Sequence, residues 1–139
     1  MPVSLSPMEG NLPLAGMRVF VVEDEALVLL SLLDMLEDMG CTVPASAQGI
    51  ADALRKASDL SFDIGLLDVS VGGQSIDPVA DLLAGRDIPF VFTSGHERDS
   101  LPMRFKERPL LSKPYVASQL QAALLRGLAQ SEPDRPRAA

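Results

Sequence analysis

The chain has 139 residues, 47% of them apolar and 22% charged, with a formal net charge of −7. This is single-domain length and ordinary globular composition. The acidic excess argues against a sequence-independent nucleic-acid grip, which needs clustered Lys and Arg, and no apolar run approaches the roughly 18–20 residues that span a bilayer. Neither nucleic acid nor membrane is an expected partner. The lone Cys41 excludes an intramolecular disulfide and favours a reducing compartment. With no basic-then-apolar leader at the N-terminus, a cytoplasmic location is expected.

Residues 1–15 carry Pro2, Pro7 and Pro13 without a hydrophobic period, and read as a loose leader. Met17–Val22 reads as a buried strand ending in Glu23-Asp24-Glu25, and Ala26–Met39 as a helix closed by Gly40. Cys41–Ser46 is a weak strand whose Pro44 suits a sheet edge. Gly49–Asp59 is helical, with Ile50, Ala53, Leu54 and Ala57 on one face. Phe62–Val69 is a third strand, and Gly72-Gly73 marks a turn. Asp77–Ala84 is a short helix, with Asp77 as the expected N-cap and Pro78 at its first position. Phe90–Thr93 and Leu110–Ser112 are the fourth and fifth strands. Arg98–Phe105, broken by Pro102, is the poorest helix and the expected mobile one. Val116–Ala129 closes the domain with Leu120, Leu124 and Leu128 in a stripe.

Strands alternating with helices predict an α/β domain over 16–130, a five-stranded parallel sheet with helices on both faces. The polar residues 131–139 form an expected disordered tail, too short for an output domain.

The chemistry stands at strand ends. Glu23 and Asp24 close the first strand, Asp68 the third, Thr93-Ser94 the fourth and Lys113 the fifth. Ligands of open parallel sheets bind at the carboxyl ends of the strands, so three carboxylates, a hydroxyl and an ammonium are expected to converge there. Carboxylates this close repel unless a cation intervenes. Magnesium suits them, because it prefers oxygen ligands and accepts one or two carboxylates beside a phosphate.

The runs V-V-E-D-E, L-L-D-V, F-T-S-G and S-K-P, in that order, resemble the receiver domains of two-component response regulators, over about residues 17–130. The resemblance implies the CheY-like, flavodoxin-like strand order 2-1-3-4-5 and a single-domain response regulator. Asp68 would be the phosphoacceptor, with Mg2+ held by Asp24, Asp68, the carbonyl of Ser70 and, through water, Glu23. Lys113 would pair with the phosphoryl group, and Ser94 would be the switch hydroxyl beside Thr93. The implied partner is a sensor histidine kinase or histidine phosphotransfer protein, meeting the first helix around Leu27; the chain is expected to be monomeric. It would be no enzyme beyond catalysing its own phosphorylation and dephosphorylation. V-G-G-Q-S-I-D-P-V-A-D-L-L-A and I-P-F-V-F-T-S-G resemble the single-domain group marked by Phe-Ala-Thr-Gly and an aromatic. Here Thr93 and Ser94 replace the Ala and Thr, and His96-Glu97 stands where the aromatic belongs. Leu110 takes the place of the aromatic that swings inward on activation in many receivers.

Two rival functions share the pattern. A phosphorylation-independent interaction module would keep the fold but usually loses the acceptor, an acid or the lysine. An aspartyl-phosphate hydrolase places a second aspartate two residues after its nucleophile, where this chain has Ser70. Singly, each motif has a plainer reading. The acid run could favour a helix dipole, Lys113 could be a solvated loop residue, Thr93 a β-branched strand residue and His96 a surface histidine. Asp68 ends a buried apolar run, where a carboxylate without a partner is costly.

Overall fold

The computed structural model describes residues 12–95 and 101–131. In chain order these form β1 (Arg18–Val22), α1 (Ala26–Asp38), β2 (Thr42–Ala47), α2 (Ile50–Asp59) and β3 (Ile64–Asp68). A short ribbon of β4 (Ser70–Val71) and β5 (Gln74–Ser75) follows, then α3 (Asp77–Gly85), β6 (Phe90–Ser94), a 3-10 turn (Met103–Phe105), β7 (Leu110–Ser112) and α4 (Ala117–Ser131).

The main sheet has five strands in the order β2-β1-β3-β6-β7, all pairs parallel. With the antiparallel β4–β5 ribbon set aside, this is the expected CheY-like 2-1-3-4-5 order. β2, with Pro44, lies at an edge, where a missing N–H costs no ladder bond.

Strand side chains alternate between faces, and the core divides accordingly. Val19, Val21, Ile64, Leu66 and Val91 pack with Leu29, Leu32 and Leu36 of α1 and Leu120, Ala123 and Leu124 of α4. Phe20, Val22, Leu67, Phe90 and Phe92 turn the other way, onto Ala53 and Ala57 of α2 and Val79, Ala80 and Leu83 of α3. Few aromatics are needed, because Phe62 stacks on Phe20 at 4.8 Å and Phe105 fills the space beside Phe90 and Phe92 at 5.5 and 5.8 Å. Gly127 lets α4 settle on the sheet: a Cβ there would lie 3.0 Å from Val91 Cγ2.

Three sequence expectations need correction, and one element was not anticipated. The leader expected over 1–15 is packed at its end: Leu14 is buried in the α1/α4 core and Gly16 N–H bonds the Gly40 carbonyl at 2.8 Å. The helix expected over Arg98–Phe105 is, in its described part, one 3-10 turn in which Phe105 N–H bonds the Pro102 carbonyl at 2.9 Å. Pro102 lacks the N–H a preceding helical turn would use. Asp77 is not the cap of α3 but its first helical residue, and the Ser75 hydroxyl accepts its N–H at 3.1 Å. The β4–β5 ribbon had no counterpart in the sequence reading. The N-terminal 1–11, His96 to Ser100 and the tail 132–139 lie outside the described residues. Among those described, no helix is long and apolar enough to cross a membrane.

Candidate functional site

Parallel register brings the strand ends together. Asp68 pairs with Thr93 across β3 and β6, and Ser94 with Ser112 across β6 and β7. Beyond the sheet, the Val69 N–H bonds the Thr93 carbonyl at 2.9 Å and the Lys113 N–H bonds the Ser94 carbonyl at 2.8 Å. The alternation that turns Ile64 and Leu66 toward α1 and α4 continues to Asp68, a residue only 6% exposed.

Lys113 reaches back over this edge. Its Nζ lies 3.0 Å from Asp68 Oδ2 and 2.9 Å from Glu23 Oε1. Glu23 is 1% exposed, the most buried of the acids at this edge. Its Oε2 accepts the Glu25 N–H at 3.1 Å. Its Oε1 meets Lys113 off the hydrogen-bond direction, so this buried oxygen has a charge beside it but no hydrogen-bond donor. Asp24 is more open to solvent, and its Oδ2 accepts the Gly72 N–H at 2.8 Å. The Ser70 N–H is directed to Asp68 Oδ1 at 3.3 Å.

Burial pushes the Glu23 carboxyl above its ordinary pKa, against the opposing pull of Lys113 and the Glu25 N–H. Burial acts to lower Lys113, yet its contacts with Glu23 and Asp68 outweigh that and hold it above the usual lysine value. The two acids thus favour the charged ammonium. Tyr115, two residues on, has its hydroxyl pushed up to about 12 by burial and then by the nearby Glu23 charge.

One oxygen from each of Glu23, Asp24 and Asp68 lies within 4.8 Å of the others. Three carboxylates against one ammonium leave net negative charge, and Glu23 Oε1 lacks a donor. A hard divalent cation such as Mg2+ fits that donor set.

Of the sequence-predicted residues, Glu23, Asp24, Asp68 and Lys113 meet directly. Thr93 and Ser94, both buried, adjoin them on β6, and Ser70 opens the ribbon just past Asp68. Leu27 stands apart, 80% exposed on the first turn of α1. It borders a groove of about 540 Å3 between α1 and the β7–α4 connection, lined also by Val28, Ser31, Met35, Lys113 and Tyr115. The sequence reading missed Tyr115 and Gly72. The run Lys113-Pro114-Tyr115 could have signalled the first; Gly72 acts through its backbone N–H, which leaves no mark on residue type.

No family model matches the chain. It is 30% identical over 103 residues to protein-glutamate methylesterase/protein-glutamine glutaminase 2 of Caulobacter vibrioides, covering 73% of this chain and 30% of that protein. The chain thus spans about a third of the curated relative it matches. Among solved structures it is similar to SdrG from Sphingomonas melonis Fr1, with 39% identity over 81% of this chain and 97% of that one, at a TM-score of 0.74. The signal receiver domain of a modulated diguanylate cyclase from Desulfovibrio desulfuricans G20 is 26% identical, covering 84% and 96% of the two chains, at a TM-score of 0.71.

Proposed function

The chain belongs to the CheY-like receiver domains of response regulators, and from that membership we propose that Asp68 accepts a phosphoryl group from a phosphohistidine. The observation carrying this reading is the Lys113 ammonium held 3.0 Å from a buried Asp68 beside two further acids.

A carboxylate oxygen of Asp68 attacks phosphorus in line, the P–N bond to the donor imidazole breaks, and an acyl phosphate remains. The donor ring, protonated at its other nitrogen, departs as neutral imidazole, so the transferred group brings the negative charge into the site. Lys113 meets that charge: it is already placed and desolvated, so little reorganisation is needed as charge spreads over the phosphoryl oxygens. The Ser94 hydroxyl, on β6, donates to the phosphoryl group and ties its presence to the β6–β7 connection. Asp24, Asp68, the carbonyl of Ser70 and, through water, Glu23 would hold Mg2+. When bound, the ion neutralises the acids and the incoming phosphoryl charge. The later hydrolysis uses the same groups, so the chain catalyses only its own phosphorylation and dephosphorylation.

The donor is a sensor histidine kinase or a histidine phosphotransfer protein, meeting the exposed start of α1 at Leu27. The phosphorylated chain then signals through protein contacts, passes the group on or drains it from the kinase, in the cytoplasm. SdrG, at 39% identity, has a BeF3-activated conformation, which supports a chemistry of this kind here.

Intact mass after exposure to acetyl phosphate, with and without magnesium, tests the reading. A magnesium-dependent gain of one phosphoryl group in the wild type and none in Asp68→Asn is expected. No gain in either, with no magnesium bound, would favour the phosphorylation-independent interaction module.

A further inference from the structure

The β4–β5 ribbon is joined to the acidic cluster at its tip. Gly72 and Gly73 form its two-residue turn with φ of +60° and +77°, the paired left-handed conformation of a tight hairpin turn. The Gly72 N–H then meets Asp24 Oδ2 at 2.8 Å. Val71 and Ile76, both buried, anchor the ribbon, and the Ile76 N–H bonds the Val69 carbonyl at 3.0 Å. A fixed donor is thus presented to a side chain that needs one. Asp24 is less buried than Glu23 and Asp68 and is repelled by both. Its backbone is held separately, where Gln48 Nε2 approaches its carbonyl at 3.4 Å.

Building on the magnesium-dependent reading above, we infer that Gly72 is a positioning residue for the cation site: its N–H keeps the Asp24 carboxylate in the cluster, and the ribbon thereby sets the affinity for Mg2+. Outer partners that hydrogen-bond a ligating carboxylate are worth about 10- to 100-fold in metal affinity. An L-residue has open space at position 72 but faces the positive φ, which Asn tolerates and Pro cannot adopt.

Calorimetric titration of the full chain with Mg2+ tests this. Gly72→Pro, which removes the N–H and opens the turn, is expected to weaken Mg2+ binding about tenfold or more. Gly72→Asn, which keeps both, should stay within about twofold of the wild type. Equal affinity in Gly72→Pro and wild type would overturn the inference while leaving the phosphoacceptor reading intact. A wild type that binds no Mg2+ would instead sink both. If Gly72→Pro does not fold, hydrogen exchange of the Gly72 amide decides. It should be protected in the wild type and exchange at least about tenfold faster in Asp24→Ala, and equal rates in the two would overturn the inference.

Discussion

Asp68 ends β3 and Lys113 directly follows β7, two strands separated by β6, yet their charged atoms stand 3.0 Å apart, with Glu23 2.9 Å from the same ammonium. One cation thus bridges two buried acids at the end of a sheet. Each acid would be costly there alone, so the arrangement has consequences for stability as well as chemistry.

Replacing Lys113 by Ala strands both carboxylates. Breaking a buried ion pair from one side costs about 3 kcal/mol. Urea unfolding without metal should show a loss of that size, part of it restored by magnesium. Phosphorylation by acetyl phosphate should slow by about a hundredfold, the scale of losing one preorganised charge-stabilising group. Unchanged stability would mean that the acids find other compensation.

A second ion pair gives a pH signature away from the site. Arg18 Nη2 and backbone N–H reach Asp63 at 3.1 and 2.8 Å. Partial burial would raise the Asp63 carboxyl, but the Arg18 bonds prevail and lower it. A folded-state pKa below the unfolded value of about 3.9 gives stability that is complete at neutral pH and fades as pH falls through the folded value. The stability gap between wild type and Asp63→Ala should therefore stay flat from pH 7 to about pH 5 and narrow below about pH 4. A gap that widens on acidification would contradict the assignment.

Gly127 tests the packing of α4. A Cβ would stand 3.0 Å from Val91 Cγ2 and 3.3 Å from Ile64 Cδ1. Gly127→Val should lower stability by about 1–3 kcal/mol through overpacking, read as a lower urea midpoint. No loss would show that α4 can move off the sheet without cost.

The exposed start of α1 separates partner recognition from chemistry. Leu27 is 80% and Leu30 59% exposed, so Leu27→Asp should leave the fold and the acetyl phosphate reaction unchanged. Phosphotransfer from a histidine kinase should slow by about tenfold, as for an interface anchor. Equal loss in both reactions would place Leu27 outside the docking surface.

Much of this was readable from residue order. The unbroken apolar run Val19–Val22 marked a strand buried on both faces, and four polar groups each ending an apolar run marked one sheet edge. What escaped has physical reasons. Leu14 follows Pro13 in a short stretch with no helical or strand period to betray its burial. Two-residue strands such as Ser70–Val71 are too short to show alternation. Gly72-Gly73 reads as any turn, because the donor that matters to Asp24 is main chain. The depth of Glu23 beneath Asp24 depends on where β1 ends, which adjacent acids in a sequence do not reveal.

The central claim is that Asp68 carries the phosphoryl group, and reductive trapping addresses it most directly. Borohydride converts an aspartyl phosphate to homoserine, which peptide mass mapping then locates. After treatment with acetyl phosphate and magnesium, homoserine is expected at position 68 and nowhere else. Homoserine at position 24 instead, or at no carboxylate while the protein binds magnesium and accepts no phosphoryl group from a histidine kinase, would contradict the account.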